Sequence, residues 1–326
     1  MNGRPGRMPL AGAFIILLGL FGGALLIRPW FRAGTGSGAT LVTIPPGATL
    51  DAAAHKLDDA NVINSAGQFK LLVRLFGKPG AIKAGLFRFP ANASWGDDYR
   101  RMQRGNVVAV RVTIPEGLPA VLVAERLAAQ SALTGPVAAP REGSVLPDTY
   151  TFATGTSRAA ALKTMQAAMT AELAKLWASR NAATAVKSPA EAVILASIVE
   201  KETGTVAERR MVAGVYSNRL RQGIKLDADP TVIYPLTQGK PLGRRIRRSE
   251  LDADNGYNTY LRAGLPKGPI ANPGRDAIAA VLDPAPTKAL YFVANGSGGH
   301  VFATTLAEQN ANVAKWFALR RQRGDM

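Results

Sequence analysis

The 326-residue chain contains no cysteine. That excludes a disulfide framework, a thiol nucleophile and any cysteine-ligated metal site. Histidine is nearly as scarce. His55 and His300 are the only two, too few for a histidine metal cluster, so neither a metal nor a cofactor is expected. Acidic residues are also short: 23 Asp and Glu stand against 40 Lys and Arg, for a formal net charge of +17. Such a surplus points to an anionic partner, whether nucleic acid, an anionic membrane or an acidic polymer such as cell-wall material. Two common catalytic motifs are missing as well. There is no G-x-x-x-x-G-K-[ST] phosphate loop and no G-x-S-x-G nucleophile elbow. No internal repeat is apparent.

What is present begins with a long uncharged run. "MPLAGAFIILLGLFGGALLI", residues 8–27, has 20 residues without a charge. That is about the length a helix needs to cross a bilayer core. A cleaved signal peptide has a shorter apolar region and a small-residue cleavage site, for which only Ala24 speaks. The expectation is an uncleaved signal anchor preceded by a cytoplasmic head at residues 1–7. Arg4 and Arg7 before the span balance Arg28 and Arg32 after it, so the positive-inside rule does not orient it. The short head and long tail favour a body outside the cytoplasm, which weakens the nucleic-acid reading.

Residues 28–40 end in "AGTGSGAT" and read as a flexible linker. The stretch 41–114 alternates strand and helix patterns: strand at 41–44, helices at 49–63 and 65–77, strand at 84–89, helix at 94–105 and strand at 107–114. It reads as a small α+β module suited to binding or spacing. A helix is expected over 115–130, a turn-like aromatic stretch at 146–152 and a long helix over 157–179. The second domain, 115–326, holds the unusual polar residues.

"SIVEKETG", residues 197–204, raises the chemical question. Ser188, Pro189 and Glu191 make a helix start, with a cap, a proline at the first helical position and a capping-box acid. Gly204 offers a stop. On a helical wheel Ile194, Leu195, Ile198 and Val199 share one side, and Glu202 lies in the middle of that stripe. Glu200 lies almost opposite, toward solvent or a surface partner. A carboxyl on an apolar stripe is costly unless neutral, paired or at a cleft. Desolvation and the negative end of the helix dipole both favour its protonated form, as a general acid requires. The competing reading is a structural ion pair of Glu202 with Arg209, Arg210 or Arg219.

Further polar motifs follow: "SNRL" with Asn218, "DPTVIY" with Asp229 and Thr231, and "GYNTY", where Tyr257 and Tyr260 flank Asn258 and Thr259. Tyrosine rings beside amides and hydroxyls suit sugars. "GLPKGPIANPG" is a rigid loop, and "ALYFVANGSGGHVF", residues 289–302, reads as a hairpin carrying His300. "GRRIRR", residues 243–248, is a basic surface knot.

The set "ASIVEKETG", "SNRL", "DPTVIY", "YNTY", "GLPKGPIANPG" and "YFVANGSGGHVF", with "KAGLFRF" and "LPDTY" upstream, resembles the MltG (YceG-like) endolytic murein transglycosylases. The resemblance runs over nearly the whole chain from residue 41. It implies a single-pass anchor in the cell inner membrane at 8–27, a LysM-like module at 41–114 and a mixed α+β catalytic domain at 115–326 in the periplasm. The implied activity is a lyase reaction at the MurNAc–GlcNAc β-1,4 bond of nascent peptidoglycan. It leaves 1,6-anhydro-MurNAc ends and limits strand length. The family's catalytic acid falls on Glu202. Its substrate-binding positions fall on Asn218, Asp229, Thr231, Tyr257, Asn258, Thr259 and Tyr260. Implied partners are peptidoglycan strands, the membrane and peptidoglycan synthases, with no nucleic acid. Three places depart from the family pattern: Gln309 in Glu308-Gln309-Asn310 where histidine is usual, Ala303 where a small polar residue is common, and "LDADNG" before YNTY. A non-catalytic peptidoglycan-binding scaffold and a membrane-tethered nucleic-acid binder are the rival functions.

Overall fold

The computed structural model describes residues 10–324 apart from 36 and 183, with side chains from residue 20 onward. The fold class is mixed α+β, with helices predominating and three two-stranded sheets among the described residues. The chain divides into two compact units. The first runs to residue 110 and takes in 152–155; the second holds 111–151 and everything from 156.

The first unit opens with α1 (Leu10–Phe31), then β1 (Ala39–Ile44), α2 (Leu50–Asp59), α3 (Ala66–Phe76), β2 (Gly85–Pro90) and α4 (Trp95–Arg104). Each short helix has a hydroxyl cap. Thr49, Ser65 and Ser94 accept from the backbone N–H groups of Ala52, Gln68 and Asp97. β1 and β2 pair antiparallel, Val42 opposite Phe87 and Ile44 opposite Gly85. Alternation turns Val42, Ile44, Phe87 and Phe89 inward, onto Leu57, Phe69, Leu72 and Met102. Trp30 joins that core at 5% exposure, so α1 runs past the expected end of the span and the first residues of the expected linker are helical. The expected span at 8–27 lies partly outside the described residues. Among the described residues no helix is long and apolar enough to cross a membrane.

β3 (Ala109–Thr113) and β4 (Thr149–Ala153) pair with each other, so the stretch expected to be turn-like at 146–152 contributes a strand. Between them lies α5 (Ala120–Ala128). It starts later than expected because Pro119 disfavours helical geometry in the residue before it.

The second unit continues with α6 (Arg158–Ala178), α7 (Pro189–Glu202), α8 (Arg209–Arg221), α9 (Asp229–Thr237), α10 (Arg248–Leu251), α11 (Arg275–Leu282), β5 (Tyr291–Ala294), β6 (His300–Ala303) and α12 (Leu306–Arg323). α7 sits at the centre and packs on α8 and α11 through Leu195, Ala196, Ile198 and Val199. Gly214 lets α8 approach the 284–287 loop: a Cβ there would lie 2.7 Å from the Ala285 carbonyl oxygen. Asp229-Pro230 opens a helix rather than a turn, with Pro230 in the first helical turn where its missing N–H costs nothing. α12 was not marked in the sequence; a Thr305/Glu308 capping box starts it.

Candidate active site

The start of α7 is built as its sequence suggests. Ser188 Oγ accepts from Glu191 N at 3.2 Å. The Glu191 carboxylate reaches back one residue further than a capping box, to Lys187 N at 2.7 Å. The other end differs from expectation. Thr203, with φ −134° and ψ 125°, turns the chain extended, so it ends the helix before Gly204.

Glu202 is half-buried and forms one wall of a pocket of about 290 Å³. Tyr216 and Arg219 of α8, Asp227, Asp229 and Tyr260 line it, with Tyr291, Phe292 and Gln309 across from the hairpin and α12. Burial pushes the Glu202 carboxyl up to about 7. A hydrogen bond from Tyr216 opposes that shift, and the negative charge of Asp229 adds to it. The Tyr216 hydroxyl is driven well above its ordinary range, first by burial and then by Glu202. Tyr216 is therefore a standing donor toward Glu202.

The opposite rim is rigid. Tyr260 donates to Asp229 Oδ1 at 2.6 Å. Asp227 adopts a left-handed backbone, φ 52°, costing about 1 kcal/mol or more, and accepts from Arg219 Nη1 at 2.9 Å. Arg219 is buried and also donates to the carbonyls of Leu290, Lys225 and Leu226. Its guanidinium stacks 5.1 Å from the Tyr291 ring. Among the described residues no cation pairs with Glu202: Arg219 serves Asp227, Arg210 serves Asp283 and Arg209 serves a different glutamate.

That other glutamate is Glu200, and it corrects the wheel. Glu200 does not face solvent; its side chain is 4% exposed. Oε1 accepts from Arg209 Nη2 at 3.1 Å, and Oε2 accepts from Gly274 N at 2.8 Å. Arg209 also pairs with Glu116 at 2.7 Å and Asp276 at 3.5 Å. A Cβ on Gly274 would lie 2.1 Å from Glu116 Oε1, so a side chain there would push the Glu116 carboxylate out of this cluster. The wheel places Glu200 away from the stripe of its own helix. It does not see that α8 and the 272–276 segment cover that side.

The remaining expected site residues are dispersed. Thr231 is fully buried and shares a 2.9 Å hydroxyl contact with Thr259, whose Oγ1 accepts from Ala228 N. Asn258 donates to the carbonyls of Leu251 and Ala253, and its Oδ1 accepts from Tyr260 N. These three residues fix the loop that carries Tyr260 and the start of α9, which carries Asp229. Tyr257 packs 4.9 Å from Tyr234, outside the pocket, with Lys267 over its ring at 4.8 Å. Asn218 donates to Thr287 and Ala289 carbonyls and borders a larger cavity of about 620 Å³ on the opposite face of α8. That cavity's carboxylate, Asp283, is neutralised by Arg210. The smaller pocket is therefore where acid chemistry is possible.

His300 stands outside the pocket lining. Its Nδ1 lies 2.8 Å from Glu208 Oε2, and its backbone N donates to Glu208 Oε1 at 2.9 Å. This ties the hairpin to the short turn after α7, while the His300 ring packs edge-on against Phe292. Gln309 Nε2 donates to the Phe292 carbonyl, so one of the three departures from the family pattern sits in the pocket wall. Sequence reasoning missed Tyr216, Tyr291 and Phe292 as wall residues. Tyr216 carries no motif of its own, and the two hairpin aromatics gave no sign of which face they take. Among the described residues no cluster of His, Asp and Glu could hold a metal ion.

Comparison with known proteins gives consistent matches. Residues 42–315 match the model of the YceG-like family. An endolytic murein transglycosylase of Bacillus subtilis (strain 168) is 27% identical over 317 residues, covering 86% of each chain. One of Streptococcus pneumoniae serotype 2 is 32% identical over 180 residues, which are 53% of this chain and 32% of that protein. A crystal structure of a YceG-like protein from Listeria monocytogenes aligns with a TM-score of 0.52 at 28% identity, over 85% of this chain and 99% of that one. The matched region runs from β1 into α12 and includes the whole pocket, and the chain belongs to the YceG-like family.

Proposed function

We propose that this protein is an endolytic murein transglycosylase, a lyase that cuts peptidoglycan glycan strands. The observation that carries the reading is Glu202: a carboxyl with no cationic partner among the described residues, raised to about 7, at the wall of a pocket lined by tyrosines and carboxylates. With a pKa of about 7 it is about half protonated at neutral pH, and the protonated form can give its proton to a leaving group.

The finer chemistry follows from the carbohydrate. The Glu202 carboxylic acid protonates the glycosidic oxygen between MurNAc and GlcNAc as the bond to the anomeric carbon breaks. The resulting carboxylate takes the proton of the sugar's own 6-hydroxyl as that oxygen closes on the anomeric carbon. A 1,6-anhydro ring forms, no water is consumed and the acid is regenerated. One carboxyl suffices, where hydrolytic glycosidases use two. Burial keeps the proton on Glu202, the Asp229 charge adds to that, and Tyr260 holds Asp229 in place. Tyr260 and Tyr291 offer rings to the sugar faces.

The same reading gives the protein an anchor at 8–27 in the inner membrane, with its body in the periplasm. Such a site would act on nascent strands, limiting their length beside the synthases. The β1–α2–α3–β2 order of the first unit supports a LysM-like glycan-gripping role for residues 41–114.

The test is mass spectrometry of uncross-linked glycan strands incubated with the detergent-solubilised full chain and with its Glu202→Gln variant. Shorter strands with new 1,6-anhydro ends, made only by the wild type, are expected. Reducing ends would make the enzyme a hydrolase. Intact strands with the wild type would leave a non-catalytic scaffold.

A further inference from the structure

The first unit carries a surface that neither its own core nor the proposed chemistry uses. On α3, Phe69, Leu72 and Val73 point into the core, whereas Leu71, Leu75 and Phe76 point out at 55%, 61% and 42% exposure. The last turns of α1 extend this surface. Leu25, Leu26 and Phe31 are exposed at 49%, 61% and 62%, Gln68 Nε2 of α3 donates to the Leu26 carbonyl at 2.6 Å, and the Phe31 and Phe76 rings meet edge-on at 5.0 Å. Two helices thus present one apolar face to the outside, the kind of feature that marks an interaction or membrane site.

The residues around that face give its occupant. Arg28 and Arg32 flank it on and just after α1; Arg74 and Lys78 flank it on and just after α3, and all four are exposed. Among the described residues no acidic side chain pairs with any of them, while nearby Lys70 is taken by Asp51 at 2.5 Å. Leucine and phenylalanine inside a rim of unpaired lysine and arginine is the composition of an element that lies in a bilayer interface, apolar side chains among the acyl chains and cations among anionic headgroups. The face also continues directly from the uncharged part of α1 that precedes Arg28.

We infer that the first unit docks on an anionic membrane surface, with Phe31, Leu71, Leu75 and Phe76 in the headgroup–acyl boundary. This is a second contact, beyond any span at residues 8–27, and it fixes the module against the bilayer. It does not depend on the catalytic reading. A dead Glu202 pocket would leave it untouched.

The absence of cysteine makes the test clean. Single Leu75→Cys and Lys56→Cys variants of the full chain, each carrying an environment-sensitive fluorophore, are mixed with vesicles containing about one-third phosphatidylglycerol. Lys56 is an exposed α2 residue outside the patch. The fluorophore at Leu75 is expected to shift to the blue, to be quenched by spin-labelled lipid and to be several-fold less accessible to iodide than that at Lys56. Adding Arg74→Glu and Lys78→Glu should reverse much of that protection, as should high salt. If the protein binds vesicles but Leu75 is as open to iodide as Lys56, the docking surface is wrong and the span alone holds the chain. If the full chain does not bind vesicles at all, both the surface and the anchor fail. A folded Leu71→Gln, Leu75→Gln variant that keeps full vesicle protection at Phe76→Cys would also overturn it.

Discussion

Glu202 and Glu200 stand two residues apart at the end of α7, and the difference between their surroundings is a cation. Glu200 is enclosed by Arg209 and the Gly274 N–H, and it shares that arginine with Glu116 and Asp276. Glu202 has a phenol beside it and a second carboxylate facing it. Burial raises both, yet only on the Glu200 side does an arginine pull back. Burial alone does not mark a catalytic acid, since it also raises Glu142 and Asp98 to about 7; Glu202 differs in lining a pocket with tyrosines and a second carboxylate and no cationic partner among the described residues. One carboxyl holds the fold, and the other is left holding a proton.

This contrast can be broken from either side. The largest effect is expected from Glu202→Gln. Removing the acid should cut strand cleavage by about 10²- to 10⁴-fold without loss of fold, measured by anhydro-end formation and by thermal melting. Next is Arg209→Met, which strands Glu200 in a buried site and releases the exposed Glu116. Chemical denaturation should show a loss of about 3–5 kcal/mol. Glu200→Gln is milder, because the amide oxygen can still accept from Gly274. A stability loss of about 1–2 kcal/mol is expected, with turnover per folded molecule nearly kept. Equal loss of turnover in Glu200→Gln and Glu202→Gln would erase the contrast.

The pH dependence sharpens it. The folded-state pKa of Glu202 is raised above the ordinary 4.5 to about 7. Its favourable contribution is therefore complete below about 4.5 and is lost as pH rises through about 7. Glu202→Gln should consequently melt higher than wild type at pH 8, by on the order of 2 kcal/mol, and the gain should vanish near pH 5. Activity should fall on the same alkaline limb. Smallest is Asp229→Asn, which removes a charge that raises Glu202. The alkaline limb should move to lower pH, by roughly half a unit to one unit.

Much of this was legible in the sequence because it is local. Caps and periodicity marked α2, α3, α4, α6 and α7, and the glycine turn marked the β5–β6 hairpin. The place of Glu202 on the buried stripe of α7 came from spacing alone. What stayed hidden is tertiary. Nothing near Glu200 in sequence announces Gly274 or Glu116, which lie 74 and 84 positions away. Polar type was also a poor guide to role. Thr231, Asn258 and Thr259 looked like sugar contacts, but their hydrogen bonds are spent on the backbone of the loops that aim Asp229 and Tyr260. Tyr216, Tyr291 and Phe292 were not singled out in the sequence, because an aromatic on a helix or strand does not say which side will be left open.

That Glu202 keeps its proton until about pH 7, far above an ordinary carboxyl, is tested most directly by a carbon-13 NMR titration of side-chain-labelled glutamate in wild type and in Glu202→Gln. One carboxyl resonance that titrates near pH 7 in the wild type and is absent from the variant is predicted. If the resonance lost in the variant titrates near 4.5, the carboxyl is an ordinary solvated carboxylate, and the proton for cleavage must come from elsewhere.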